Sequence, residues 1–247
     1  QYALKGGKVL VFLDPVAESG GVAMIQNPGE GRRRLAQVLE GWGVKWNGAE
    51  VAADIRHARR VQFGPDAENV TEFVAWLGLD KTNINPDDVL AAGIEVLNLA
   101  SSGVLTRTDG ATASITPLIE TSPDAAIVGS DKMGFGADPL GLLRSYTPGG
   151  KKLMLAARVI GDAKSAFPAK PSAPGNGAKD SSAPKDAPAK PEDKSSPAHV
   201  SAGKVNAIIV ADSDLLADQF WVDRREIAGQ EMVMPSAHNA AFVLSAL

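Results

Sequence analysis

Lys204–Val222, KVNAIIVADSDLLADQFWV, decides how the rest of the chain is read. The apolar run Ile208-Ile209-Val210 stops at Asp212-Ser213-Asp214, and an amphipathic segment with Leu215, Leu216 and Phe220 begins at once. A buried strand that turns directly into a helix, with carboxylates at the turn, is how open α/β sheets present sites at their carboxyl edge. The stretch therefore predicts a strand-then-helix unit and marks a place to look for a site.

The same alternation is expected upstream. Lys8–Leu13 (KVLVFL) reads as a short strand closed by Asp14-Pro15. In Gly31–Val44, Leu35, Val38, Leu39 and Trp42 fall at i, i+3, i+4 and i+7, one helical face, with Gly41 and Gly43 as the stop. Pro65–Leu79 is read the same way, with Val70, Phe73, Val74 and Leu77 on one helical face and Gly78 at the exit. Val96–Leu105, Ala111–Ile119, Ala125–Val128 and Lys152–Ile160 read as extended, and a last helix is expected from Asn239. Strands alternating with helices predict an α/β fold, a mainly parallel, Rossmann-like sheet sandwiched by helices. Val9, Val11 and Leu13 are expected to share its core with Ile208 and Val210.

Residues 162–204 stand apart. They hold seven of the sixteen prolines, and Val200 is the one large aliphatic residue between Pro168 and Lys204. A Pro/Ala/Lys/Ser tract of this kind buries too little apolar surface to offset its ordering entropy, which predicts a disordered low-complexity insertion. Residues 1–161 and 205–247 then form one α/β domain of roughly 200 residues. The chain opens on Gln1 and closes on the apolar run Ala240–Leu244, so a soluble piece of a longer protein is expected, truncated at its C-terminal side.

Composition removes several function classes. There is no cysteine, which excludes disulfides, thiolate nucleophiles and Cys-ligated metals, and three histidines are too few for a His-rich centre. A net charge of −4 gives no broad basic surface for nucleic acid or an anionic membrane. A Gly-x-Ser-x-Gly elbow and a Walker A loop are both absent.

The leading candidates are Asp212, Asp214 and Asp218. Carboxylates at a strand's carboxyl end can share Mg²⁺ or Ca²⁺, and Asp14 ends the first strand in a similar position. Helix capping explains the same residues without a ligand, with Ser213 or Asp214 as N-cap and Asp218 near the positive helix end, and it is the preferred reading. Asn239 opens the last helix beside His238 and joins the tentative ligand-binding set. No catalytic residue, metal or cofactor is assigned.

Gly29-Glu30-Gly31-Arg32-Arg33-Arg34 is the second candidate, a glycine pair opening a helix that could hold an anion on free backbone N–H groups. It lacks the third glycine and a lead-in strand, so a solvated helix face is preferred. His57 sits in a basic surface segment. Ser101-Ser102-Gly103 and Thr121-Ser122-Pro123 are turn chemistry first. Trp42 and Trp76 belong to apolar faces, while Trp46 and Trp221 are free for recognition.

Several stretches carry a family resemblance: KVLVFLDP (Lys8–Pro15), LAQVLEGWGV (Leu35–Val44), VLNLASSGVL (Val96–Leu105), TPLIETSPDA (Thr116–Ala125), LAARVIG (Leu155–Gly161), ADSDLLADQFWV (Ala211–Val222) and HNAAFVLSAL (His238–Leu247). In order and in content the chain resembles the auxiliary component of an uncharacterised, gliding-motility-associated ABC-type transport system, in the domain shared with an intraflagellar-transport subunit. The resemblance implies an α/β domain akin to class I glutamine amidotransferases, without their catalytic cysteine. It also implies a membrane-anchored parent, located at the periplasmic or extracytoplasmic face of the inner membrane, and partners among the permease and ATPase subunits of the same system.

Three functions are weighed. The first is a non-catalytic binding or scaffolding ectodomain of an ABC transporter auxiliary protein, with a small molecule or glycan as a further ligand. The second is a divalent-cation-dependent hydrolase acting on a carbohydrate or nucleotide through Asp14, Asp212 and Asp214. The third is a purely structural assembly module.

Overall fold

The computed structural model describes residues 1–20, 28–63, 69–134, 136–167, 199–227 and 229–247. Its strands are β1 (Lys5–Phe12), β2 (Val44–Trp46), β3 (Glu50–Asp54), β4 (Ala58–Phe63), β5 (Asn69–Asp80), β6 (Val96–Ala100), β7 (Leu105–Arg107), β8 (Ser114–Glu120), β9 (Ala125–Gly129), β10 (Met154–Lys164), β11 (Ala202–Val210), β12 (Val222–Ile227) and β13 (Gln230–Pro235). The α-helices are α1 (Pro28–Gly41), α2 (Pro139–Arg144) and α3 (Asn239–Ala246). Among the described residues no helix is long and apolar enough to cross a membrane.

The main sheet runs β1-β11-β10-β7-β2, with β8 also paired to β10. β1 and β11 are parallel, and every other pairing in the described residues is antiparallel. β4-β5-β6 form a second sheet, β3-β9 a two-stranded one, and β12-β13 a separate hairpin. This overturns the expected helix-sandwiched, mainly parallel sheet of the Rossmann or glutamine amidotransferase kind. The chain is β-rich, and short turns rather than crossover helices join most of its strands. Antiparallel strands can be joined by such turns, whereas parallel ones require long crossovers.

The largest local correction is Pro65–Leu79. Residues 64–68 lie outside the described residues, and Asn69 opens the strand β5 where a helix was expected. Thr71, Phe73, Ala75, Leu77 and Leu79 are buried at every second position, while Val70, which the helical reading placed on the core face, is exposed. The β-branched and aromatic content of NVTEFVAW suits a strand, which pairs with β4 along Asn69–Phe73 and passes to β6 at Trp76–Asp80.

The parallel register also reassigns the core. Val9 pairs with Ala207 and Val11 with Ile209. Those residues pack with Leu39, Trp42, Val44 and Trp46 beneath α1. Ile208 and Val210 point to the other face, with Leu10, Phe12, Leu77, Leu97, Leu155 and Phe242 of α3. Val9, Val11 and Leu13 are thus in the same sheet as Ile208 and Val210 but on the opposite side, as period-two alternation requires. α1 itself forms where its apolar spacing placed it, and Gly43 closes it at φ +89°, a conformation that disfavours any side chain.

β10 and β11 continue as a hairpin to Lys164↔Ala202. The low-complexity tract is inserted at the end of that hairpin. Disorder is expected over residues 162–204, but Asp162–Lys164 and Ala202–Lys204 are paired residues of β10 and β11, a correction at both flanks, and residues 168–198 lie outside the described residues.

Candidate functional site

The parallel pair β1–β11 brings two chain exits side by side. Asp14 follows β1, and Asp212 and Asp214 follow β11; one carboxylate oxygen from each lies within 4.8 Å of the others. A third loop, Ser101-Ser102-Gly103 after β6, is tied to the same place: Gly103 donates its N–H to the Ala211 carbonyl at 2.6 Å, and Ser102 donates its hydroxyl to that carbonyl at 3.2 Å. Gly103 is required here by close approach, since a Cβ would lie 2.7 Å from the Trp46 Nε1 and 3.3 Å from Pro15.

Each of the six carboxylate oxygens accepts a backbone N–H. Asp14 accepts from Val16 (2.8 Å) and Ser213 (3.0 Å), and the Ser213 hydroxyl also donates to it at 2.6 Å. Asp212 accepts from Ala100 (2.8 Å) and Leu215 (3.0 Å). Asp214 accepts from Glu18 and Ser19, each at 2.8 Å, and from the Ser19 hydroxyl at 2.5 Å. Asp214 therefore caps a turn, but a distant one, the 3₁₀ turn Glu18–Gly20, and not the segment directly after it. That segment is not an α-helix. It is two 3₁₀ turns, Asp214–Leu216 and Asp218–Phe220, separated by the extended Ala217, and it leads into β12.

Crowding sets the electrostatics. Burial pushes Asp14 up, the Ser213 hydroxyl opposes this and the charge of Asp214 adds to it, so its pKa stands at about 7. Burial also raises Asp212 well above the usual carboxylate range, with the charges of Asp14 and Asp214 behind it.

The remaining candidates lie elsewhere. Asp218 is exposed and faces Arg224 at 3.4 Å. Asn239 is fully buried and links strands to turns: its Oδ1 accepts from Asn98 N at 3.0 Å, and its Nδ2 donates to the carbonyls of Asn98 (2.8 Å) and Leu215 (3.0 Å).

Two groups escape a reading of the sequence. Ser101, an ordinary turn residue by its local pattern, is the one non-glycine with positive φ (51°) among the described residues, and it is buried with its hydroxyl donating to Glu18 at 2.6 Å. Strain of this kind persists only where the surroundings over-determine it. The second group is Asp54 at the end of β3. It accepts from Ser122 N (2.6 Å), Ser122 Oγ (2.8 Å) and Arg56 N (2.9 Å), with His57 Nδ1 at 3.0 Å. Burial alone would raise its pKa, yet these bonds outweigh it and the net shift is downward. Ser, His and Asp meet here, but the serine donates to the aspartate and not to the histidine, so no base activates the hydroxyl as in a hydrolase triad. A lone Asp two residues before Arg-His gives no sequence signal for this arrangement, because Ser122 lies 68 positions away, in the turn that leads into β9, the partner strand of β3.

Both buried carboxylate groups are thus joints between loops. A search of curated proteins returned no match. Residues 1–246 match the family model described as "ABC-type uncharacterized transport system", and the chain belongs to that family, as an auxiliary component of an ABC-type transport system.

Proposed function

We propose that this domain is a non-catalytic binding and scaffolding ectodomain that serves the permease and ATPase subunits of its own ABC-type system. Its place is the periplasmic or extracytoplasmic face of the inner membrane, where segments beyond the described helices tether it, in a system of the gliding-motility type. One observation carries the non-catalytic part. All six oxygens of the best catalytic constellation accept backbone N–H groups, four of them from residues about 100 or more positions away. Carboxylates engaged in this way hold three chain exits together. The partner contact is supported by the β12–β13 hairpin, which presents Met232, Val233 and Met234 to solvent.

The rival reading, a divalent-cation hydrolase, draws on the 4.8 Å grouping of Asp14, Asp212 and Asp214. The test has two arms. The tethered full-length protein should retain permease and ATPase subunits on purification from membranes, and Val233→Glu should weaken that retention without lowering the melting temperature. In the second arm Mg²⁺ and Ca²⁺ should leave the melting temperature unchanged. A cation-dependent rise at micromolar metal, abolished by Asp14→Asn, would sink the scaffold reading, because a specific ligand must stabilise by mass action.

A further inference from the structure

We propose that the groove between α1 and β2 is a binding site for a small molecule bearing an oxyanion, a phosphate or a carboxylate. The groove has a volume of about 510 Å³ and is walled by Arg32 and Arg33 of α1, Lys45 and Trp46 of β2, and Asn47 and Glu50 of the following turn and strand. That volume suits a ligand of sugar size or larger rather than a bare ion.

Its charge is one-sided and uncommitted. Three cations face one carboxylate, in a chain whose net charge is −4. Among the described residues none of the three cations forms an ion pair, whereas the neighbouring Arg34 is held by Glu30. Glu50 already accepts from Asn47 Nδ2 at 2.8 Å. Like charges gathered from two elements repel unless an anion joins them, and guanidinium and ammonium groups match oxyanions well.

The wall is also stiff. Trp46 is buried, with its Nε1 against Gly103 and without an acceptor. Its far ring edge lies against Gly48, where an added Cβ would come 3.2 Å from Cη2 and 3.5 Å from the Arg32 stem. The indole therefore fixes the floor of the groove and sets the Gly48 turn beside Arg32. This site is separate from the acidic cluster and does not depend on the scaffold reading.

The test titrates the full chain, by calorimetry at low salt, with inorganic phosphate, glucose 6-phosphate, glucuronate and glucose. We expect the anionic sugars to bind and glucose not to. Preference for glucose 6-phosphate assigns phosphate as the recognised group, and preference for glucuronate assigns carboxylate. Arg33→Ala with Lys45→Ala should weaken binding at least tenfold, Lys45→Arg should restore part of it, and Lys204→Ala, outside the groove, should change nothing. Binding that is unaltered in the double variant, equal for glucose, or seen only with phosphatidylglycerol vesicles would overturn the proposal, the last in favour of a membrane contact. No transporter subunit enters the experiment, so its failure is distinct from failure of subunit association.

Discussion

At the ends of β1 and β11 three carboxylates crowd together, Asp212 and Asp214 buried and Asp14 half-buried, each oxygen holding a backbone N–H. In the groove between α1 and β2 three cations stand half-buried or exposed, with no carboxylate paired to any of them among the described residues. The first region commits its polar atoms to the fold: Asp214 holds Glu18–Gly20, Asp212 holds the end of β6, and Asp14 holds Ser213. The second leaves its charge available. A clustered charge is therefore a poor guide to function until the partners of its polar atoms are counted, and here the more conspicuous cluster is the structural one.

The contrast predicts first that Asp214→Ala is costly. Two backbone N–H groups and the Ser19 hydroxyl lose a fully buried acceptor. Glu18 is half-buried and Ser19 exposed, so each loss falls at the low end of the about 1–3 kcal/mol that a buried unsatisfied donor costs. Relief of repulsion from Asp14 and Asp212 offsets part of this, so we expect a loss of about 2 kcal/mol by urea denaturation. Asp214→Asn, which keeps one acceptor oxygen, should recover some of it. A loss below about 0.5 kcal/mol, the range of ordinary surface changes, would mean that the cluster does not hold its loops.

The second expectation concerns pH. Asp14 has a folded pKa of about 7, above its ordinary value near 4. The folded state therefore keeps a proton that the unfolded state releases, and the associated stability is fully present below about pH 4 and is lost as pH rises toward 7. Asp212 acts in the same direction. Asp54, shifted downward, acts oppositely: its contribution is present above about pH 4 and is lost as pH falls through its lowered value. Urea midpoints should thus decline between about pH 4 and pH 7, and Asp14→Asn should flatten the decline. A midpoint that climbs through this window in the parent and is unaffected by the substitution would contradict the burial of the cluster.

The legibility of each element in the sequence depends on the physics of its signal. β1, β11, α1 and α3 are visible because apolar spacing or an unbroken apolar run reports burial. β5 reads wrongly as a helix because Val70, Phe73, Val74 and Leu77 satisfy the helical spacing by coincidence, while the buried residues are the alternating set Thr71, Phe73, Ala75, Leu77 and Leu79 together with Val74, and Val70 is exposed. Strand direction is hidden because period-two patterns carry no record of which neighbour pairs with which. Asp14, Asp212 and Asp214 are visible as residues ending apolar strands. Their partners Ala100, Glu18 and Ser19 are not, since they lie 112, 196 and 195 positions away from the carboxylates they bond. The arginines of α1 stand out alone; Lys45 and Trp46 join them only through the packing of α1 on β2.

The smallest expected effect lies in the groove and is the sharpest check on the comparison. Arg33 and Lys45 are exposed, Arg33 bonds only the Gly29 carbonyl at 3.1 Å within its own helix, and neither holds a carboxylate among the described residues. Removing both side-chain charges leaves no buried group unsatisfied and relieves repulsion with Arg32. Arg33→Ala with Lys45→Ala should therefore change stability by no more than about 0.5 kcal/mol, the range of ordinary surface substitutions, while oxyanion binding falls. A stability loss above about 2 kcal/mol would place the groove with the acidic cluster as a structural joint, since losses of that size arise from buried, committed groups.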